Sequence, residues 1–293
     1  MASPLDLVRL LPLMQRSQGR PEVAVALVDG PVAMDHPDLV RGNIREVTGR
    51  HASACSKASS VACMHGTFIA GMLCGKRGSA APAICPNCTL LVRPIFPETS
   101  ASNDDMPAAR PEDLASAIVE STDAGARVIN LSAALSYASP KGERALGEAL
   151  DYAAKYKVIV VVAAGNQAKL GSSVMTRHPW VVPVVGCDLQ GRPTSESNLG
   201  NSIGRNGLMA PAREITSLGT DKNPQTSGGT SAATPFVTGT IALLCSEFPS
   251  ASASTVKLAI RAGNFASRRT IVPPLLNAWA AYQEMASSRG KAS

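Results

Sequence analysis

The chain has 293 residues, of which 45% are hydrophobic and 4% are aromatic. That length and composition suit one α/β domain with a core of Ala, Val, Ile and Leu. The net charge of +6 comes from scattered Lys and Arg, so we expect no nucleic-acid partner. No segment reaches the roughly 18 apolar residues of a membrane helix, so we expect no membrane span.

Short apolar runs alternate with amphipathic segments along the chain. The predicted elements, in chain order, are strands 23–28 and 90–95, helix 112–125, strand 128–131, helix 143–156, strands 158–163 and 181–185, and helix 231–248. This alternation predicts a mainly parallel twisted sheet with helices on both faces. Residues 97–111 are rich in Pro, Ser, Asn and Asp, which predicts a long surface loop.

Three regions follow from this pattern. We predict an N-terminal extension over 1–20, one folded domain over 21–284 and a disordered polar tail over 285–293. The first 20 residues lack the charged start, apolar run and cleavage site of a secretory signal, which favours a cytoplasmic location. The sequence leaves the oligomeric state undetermined.

Seven cysteines are present, and their odd number leaves at least one thiol unpaired. Three interpretations stay open: local disulfides, a Cys85-x-x-Cys88 redox or zinc half-site, and inert buried thiols. Zinc is the least favoured, because a zinc site needs about four ligands and no second Cys-x-x-Cys is present. The pairing stays undetermined among five cysteines: Cys55, Cys63, Cys74, Cys85 and Cys88.

Four polar residues stand at the predicted ends of strands or starts of helices. Asp29 directly follows the first strand, and Asn166 follows the strand over 158–163 after Ala-Ala-Gly. His65 precedes Gly-Thr at the start of an apolar segment, and Ser231 lies in Gly-Gly-Thr-Ser at the predicted start of the last helix. Ligands of open α/β sheets bind outside the carboxyl ends of the strands, so these residue types could meet there. Free N–H groups at a helix start suit an oxyanion.

Taken together, these segments resemble the signatures of the subtilases. Asp after an apolar strand, His-Gly-Thr, Ala-Ala-Gly-Asn and Gly-Thr-Ser-x-Ala-x-Pro occur in the subtilisin order of Asp, His and Ser. The resemblance implies a subtilisin-like three-layer fold over the domain at 21–284. It also implies a serine endopeptidase with an Asp29–His65–Ser231 catalytic triad and Asn166 in the oxyanion hole. The substrate-binding residues that it implies are Ser132, Ala133, Ala134, Ala163, Ala164, Gly165 and Thr230.

A second set of segments resembles the subtilases of cyanobactin maturation. These segments are Leu27-Val-Asp-Gly-Pro-Val32, Ala62-Cys-Met-His-Gly-Thr67, Pro86-Asn-Cys88 and Pro94-Ile-Phe96. This resemblance implies a cytoplasmic protease that processes a ribosomally made precursor peptide, so its partner would be a peptide or precursor protein. Alternatives are a degradative subtilase, a peptide macrocyclase and an inactive peptide-binding scaffold. The segment over 66–88 leaves no room for the helical insert of the macrocyclising members.

The chain departs from the family pattern at several positions. Gly30 stands where Thr or Ser is common, Phe68 replaces a second His, and Ala133-Ala134 replaces Leu-Gly in the substrate strand. Loop 75–86 lacks the Asn-rich segment that holds the tight calcium of secreted subtilisins, and Lys76 and Arg77 would repel a cation. We therefore expect no metal and no cofactor. Four acidic residues either flank the substrate cleft or form a solvated excursion: Asp104, Asp105, Glu112 and Asp113.

Overall fold

The computed structural model describes residues 3–98, 109–132, 139–261 and 270–290. Its strands are β1 (Ala24–Asp29), β2 (Ile44–Glu46), β3 (Thr89–Pro94), β4 (Val128–Leu131), β5 (Ile159–Ala163), β6 (Val181–Cys187), β7 (Leu208–Pro211), β8 (Ile215–Leu218) and β9 (Pro224–Ser227). Its α-helices are α1 (Pro4–Leu7), α2 (Leu11–Arg16), α3 (Val61–Cys74), α4 (Pro111–Asp123), α5 (Pro140–Lys155), α6 (Val174–Arg177), α7 (Asn201–Asn206), α8 (Gly229–Glu247), α9 (Ala253–Ala259) and α10 (Ala278–Gly290).

Seven strands form one parallel sheet in the order β2-β3-β1-β4-β5-β6-β7. The strands β1, β3, β4, β5 and β6 are buried at every position. Continuous burial is the expected state of parallel strands that are covered on both faces, and it explains their uninterrupted apolar sequences. The remaining two strands, β8 and β9, form an antiparallel hairpin.

Two separate cores cover the two faces of the sheet. On one face, α3 and α8 pack against alternate strand residues such as Val25, Leu27 and Val161. On the other face, α4 and α5 pack against the intervening residues, among them Ala26 and Val160. The period of two along each strand sends neighbouring side chains to opposite faces. The predicted three-layer α/β fold is confirmed.

Several boundaries differ from the predictions. Helix α3 begins at Val61, so His65 is the fifth residue of the helix rather than its start. Helix α8 begins at Gly229 and not at Ser231. The predicted disordered tail is wrong over residues 285–290, because α10 continues to Gly290 and buries Met285 against the first core. The elements β2, β7, β8 and β9 have only three or four residues each, which is too short for periodicity to reveal them.

The two ends of the described chain pack together on the domain. Leu10 and Leu13 from the predicted N-terminal extension are fully buried in the core that α8 lines. The Ala278 N–H donates to the Val8 carbonyl at 2.9 Å, which joins this segment to the start of α10. This segment therefore contributes apolar side chains to the domain core. None of the helices in the described ranges has the length and apolar character needed to cross a bilayer.

Candidate active site

The candidate site lies at the carboxyl edge of three neighbouring strands. The register pairs Val28 of β1 with Leu131 of β4, and Leu131 with Val162 of β5. The residues that follow these positions lie side by side at the edge: Asp29, Ser132 and Ala163. Parallel strands therefore bring together residues that are distant in sequence, as expected for ligand sites of open α/β sheets.

Asp29 and His65 form a hydrogen-bonded pair at this edge. His65 Nδ1 lies 2.6 Å from Asp29 Oδ1, and the same oxygen accepts the Gly30 N–H at 2.7 Å. The Asp29 side chain is fully buried, whereas 16% of the His65 side chain is exposed. Burial lowers the pKa of His65, but the charge of Asp29 and its hydrogen bond outweigh burial and raise that pKa above its ordinary value.

Two glycines allow α3 to approach the end of β1 closely enough to form this pair. A Cβ on Gly30 would lie 2.0 Å from the Ala62 carbonyl oxygen, and one on Gly66 would lie 2.4 Å from the Pro31 carbonyl oxygen. Backbone packs directly against backbone here, so no side chain fits at either position. This close contact therefore requires glycine at position 30 in the observed packing of α3 against β1.

The first turn of α8 presents Ser231 beside the strand edge. The N–H groups of the two preceding residues are occupied: Gly229 donates to the Ala212 carbonyl and Thr230 to Asn166 Oδ1, each at 2.9 Å. Ser231 is the third residue of the helix, so its N–H has no intrahelical carbonyl four residues earlier. The half-buried Ser231 therefore combines a hydroxyl with an N–H that suits an anion.

Asn166 is held in place by Thr230. Asn166 Oδ1 accepts hydrogen bonds from both the N–H and the hydroxyl of Thr230, each at 2.9 Å. The Thr230 hydroxyl also accepts the Gly165 N–H at 3.2 Å. With Oδ1 engaged, Asn166 Nδ2 has no hydrogen bond within the described part of the chain and is left as a donor.

A buried polar network that the sequence analysis missed connects β4 to α8. Asn130 Oδ1 accepts from the Thr238 hydroxyl at 2.8 Å, and Asn130 Nδ2 donates to Ser132 Oγ at 3.0 Å. Ser132 Oγ in turn lies 3.5 Å from the Ser231 carbonyl oxygen. Asn130 inside an otherwise apolar strand was the sequence feature that could have predicted this network, because a buried amide requires hydrogen-bond partners.

The structure places the other predicted site residues as follows. Ser132, Ala163 and Ala164 are buried at the strand edge, and Gly165 is half-buried. Thr230 is fully buried, so its side chain supports Asn166 rather than lining an open surface. Ala133 and Ala134 lie outside the described residues, as do Asp104 and Asp105. Among the described residues, no hydrogen bond joins Ser231 Oγ to His65.

One disulfide lies close to the candidate site. Cys55 and Cys63 are bonded with their Cα atoms 5.6 Å apart, and Cys63 precedes His65 by two residues in α3. The bond ties the loop before α3 to the first turn of this helix. Glu98 Oε1 lies 2.7 Å from Cys63 Sγ, but both sulfurs are oxidised in the disulfide and offer no thiolate ligand to a metal.

The other five cysteines are free and buried: Cys74, Cys85, Cys88, Cys187 and Cys245. The pKa of Cys85 is raised well above its ordinary value by its hydrogen bond with Cys74 and by burial. A thiol that resists deprotonation is a poor metal ligand and a poor nucleophile. This environment favours the interpretation of Cys85 and Cys88 as inert core residues.

Comparison with known proteins identifies the family. Residues 20–265 match the model of the subtilase family, so the chain belongs to the subtilases, which are subtilisin-like serine proteases. Subtilisin DY from Bacillus licheniformis is 28% identical over 241 residues, which cover 80% of this chain and 81% of that protein. Other relatives are longer: the chain spans 35% of fervidolysin from Fervidobacterium pennivorans.

Two solved structures of maturation proteases are similar along almost their whole length. A mutant of the protease domain of PatA has a TM-score of 0.80 and 28% identity, covering 92% of this chain and 97% of that one. The prenylagaramide maturation protease PagA has a TM-score of 0.80 and 26% identity, covering 94% and 98%. These similarities confirm the subtilisin-like fold that the sequence motifs predict.

Proposed function

We propose that Ser231, His65 and Asp29 act as the catalytic triad of a serine endopeptidase. The Asp29–His65 hydrogen bond at the strand edge carries this proposal. His65 takes the proton of Ser231 as its hydroxyl attacks the scissile carbonyl, and later gives it to the leaving amine. Asp29 holds the imidazole by Nδ1 and stabilises its cation. Hydrogen bonds between nucleophile and base commonly tighten only when substrate binds.

The oxyanion of the tetrahedral intermediate is bound by Asn166 Nδ2 and the Ser231 N–H. The Ser231 N–H belongs to the first turn of α8, and Thr230 of the same turn orients the Asn166 amide, which follows β5, by occupying its oxygen. Donors that are fixed before the reaction stabilise developing charge without reorganisation. Loss of one such donor typically removes about 2.7–4 kcal/mol of transition-state stabilisation.

The substrate in this proposal is a ribosomally made precursor peptide, cleaved by hydrolysis in the cytoplasm. Support comes from the two maturation proteases, each of which matches more than 90% of this chain. A precursor-processing enzyme differs from a degradative one in the range of peptide sequences that it cleaves. Cleavage at one or a few sites in a peptide library supports processing, whereas general digestion of casein supports degradation.

Substitution of the nucleophile tests the triad. Ser231→Ala should abolish peptide cleavage and labelling by a fluorophosphonate, while leaving the thermal unfolding midpoint near that of the wild type. Ser287→Ala is the matched control, because Ser287 is exposed on α10, outside the elements that build the site. Undiminished cleavage by the Ser231→Ala protein would contradict the proposal.

Product mass separates hydrolysis from macrocyclisation. Hydrolysis gives linear fragments whose summed mass exceeds that of the substrate by one water. Cyclisation instead gives a product that lacks one water relative to the corresponding linear peptide. A cyclic main product would contradict the hydrolytic proposal but leave the triad intact.

A further inference from the structure

An open cavity of about 510 Å³ lies at the amino end of α8, and its lining ends at Gly229, two residues before the candidate nucleophile Ser231. It is lined by Gly228 and Gly229, which lead directly into Thr230 and Ser231. The charged residues of the lining are Asp188, Glu196, Arg213 and Glu214. A chain that reacts at Ser231 therefore has this cavity within a few residues of its scissile bond.

The cavity is separate from the strand edge that holds the expected substrate-binding residues. Asn166, Ser132, Ala163, Ala164 and Gly165 do not line it. A peptide runs through an endopeptidase site in two directions from the scissile bond. One direction follows the ends of β4 and β5, and the structure assigns the other direction to Gly228, Gly229 and the cavity that they line. This assignment places the part of the peptide that leaves as the amine in the cavity. The assignment rests on the proposed protease function.

The carboxylates around the cavity differ in whether an arginine neutralises their charge. Asp188 is engaged by Arg192, whose Nε donates to Asp188 Oδ2 at 2.8 Å. Glu196 has Arg213 at 3.3 Å, and the Arg213 side chain is largely exposed. Glu214 is exposed and makes no ion pair with any residue in the described ranges. The lining thus holds three carboxylates against one guanidinium, with Glu214 free to bind a cation.

The backbone at Glu214 is held in an uncommon conformation. Its φ is +52°, in the left-handed region that non-glycine residues rarely adopt. The flanking residues Ala212 and Ile215 are buried, and the Ala212 N–H donates to the Cys187 carbonyl at 2.9 Å. These anchors on both sides fix the backbone of the turn beside the cavity.

We propose that this cavity binds a Lys or Arg side chain of the substrate on the carboxyl side of the cleaved bond, with Glu214 as its main partner. Glu196 contributes a second carboxylate, and an acidic residue at the same substrate position is disfavoured. The pair is partly exposed, so its effect on kcat/KM is about two- to fivefold, as for other exposed ion pairs. The preference weakens as salt concentration rises.

Peptide sets that differ at one position test this proposal. We would place Lys, Gln or Glu in turn at each of the first three positions after a confirmed cleavage site and measure kcat/KM by mass spectrometry. The wild type should prefer Lys to Gln and Gln to Glu at one of these positions. Glu214→Gln should abolish the preference, and Glu214→Lys should reverse it. The control Glu148→Gln removes an exposed carboxylate from α5 and should leave the preference unchanged.

The possible failures are distinguishable. Equal Lys and Glu rates in the wild type, or a Lys preference that survives Glu214→Gln, overturn this proposal while peptide cleavage itself continues. A Glu214-dependent preference that falls only on positions before the cut overturns the assignment of the cavity to the leaving-group side. Absence of cleavage for every peptide contradicts the proposed protease function instead.

Discussion

Two opposing effects set the charge of His65. Burial disfavours the imidazolium, whereas the buried Asp29 carboxylate at 2.6 Å favours it, and the net pKa is raised. The residue types and their order along the chain were predictable from the motifs. Which imidazole nitrogen meets which carboxylate oxygen was not, because that contact depends on how α3 packs against β1.

The first prediction concerns the pH dependence of the proposed reaction. The base must be neutral to accept a proton, so kcat/KM of the wild type should fall as pH decreases through the raised pKa of His65. Asp29→Asn removes the anion, so this acid limb should move to lower pH while kcat falls by about 10⁴-fold. Rates measured from roughly pH 5 to 9, the range in which His titrates, check both effects.

The chain offers a matched control for this substitution. Asp151 and His178 form a second Asp–His pair at 3.1 Å on the surface. Asp151→Asn should leave the pH–rate profile unchanged. An acid limb that stays in place in Asp29→Asn would show that a group other than His65 controls the rate.

The same pair makes a pH-dependent contribution to stability. Because the folded-state pKa of His65 is raised, the stabilisation is fully present below the ordinary pKa of about 6.5. It is lost as pH rises through the raised value. The Asp29–His65⁺ attraction therefore stabilises the fold most in mildly acidic solution, where the proposed base is protonated and inactive.

At the scale of elements, the contact between α3 and the end of β1 positions His65. Gly30 and Gly66 face the backbone of the opposing segment with no space for a Cβ. A helix in this position carries its fifth residue, His65, over the buried Asp29. Small residues in the motif suggested close packing, but the partner of each glycine emerged only from the assembled structure.

The second prediction tests this contact with one methyl group. In Gly66→Ala the new Cβ would lie 2.4 Å from the Pro31 oxygen, so α3 must shift. Overpacking of this kind costs about 1–3 kcal/mol of unfolding free energy. We also expect a loss of kcat, because a displaced His65 no longer meets Asp29 correctly. Urea unfolding and kcat together measure both consequences.

Gly147→Ala is the control for the second prediction. Gly147 lies inside α5, and a Cβ there meets no atom within 4 Å. This substitution should stabilise the protein by about 1 kcal/mol, since Ala favours helix. Equal stability of wild type and Gly66→Ala would show that the α3–β1 contact adapts without cost.

Element prediction succeeded where the sequence pattern is long and failed where it is short. The strands of the sheet centre and helices α4 and α5 were predicted within a few residues. The starts of α3 and α8 were placed too late. The four residues before His65 are uniformly apolar and the two before Ser231 are Gly and Thr, so neither stretch shows a helical period. The edge strand β2 is exposed at two of its three positions, so its sequence shows no alternation of apolar and polar residues.

At the scale of the whole molecule, Arg77 connects segments that are far apart in sequence. Its guanidinium donates to the carbonyl oxygens of Met14, Ser17 and Ile84. These contacts join the N-terminal segment to the loop after α3. A guanidinium offers five donors and stays charged, so it can bind several carbonyl groups at once.

The third prediction tests Arg77 as a stabilising cation. Arg77→Gln leaves carbonyl oxygens without their charged donor and should lower the unfolding free energy by about 1–3 kcal/mol. A second measurement asks whether a metal ion also stabilises the fold: a metal chelator should leave the unfolding midpoint of the wild type unchanged, because we expect no tight calcium site. The control Arg144→Gln removes an exposed charge from α5 and should have little effect.

Either of two results would contradict this view of Arg77. A wild-type midpoint that falls on chelation would show that a metal stabilises the fold. An Arg77→Gln protein as stable as the Arg144→Gln control would show that the N-terminal segment is held by its apolar contacts alone. Those contacts include the fully buried Leu10 and Leu13.

Local apolar periods and short motifs occupy neighbouring positions, so they were enough to predict the α/β class, the family and the candidate reactive residues. Which of these groups meet became visible only in the folded chain. Asp29 and His65 are 36 residues apart, and Thr238 is 108 residues from Asn130. It also formed the acidic cavity at the amino end of α8 and placed Arg77 on the carbonyls of Met14 and Ser17, 63 and 60 residues away. Such contacts depend on strand order and on the angle and depth at which each helix packs, which no local pattern encodes.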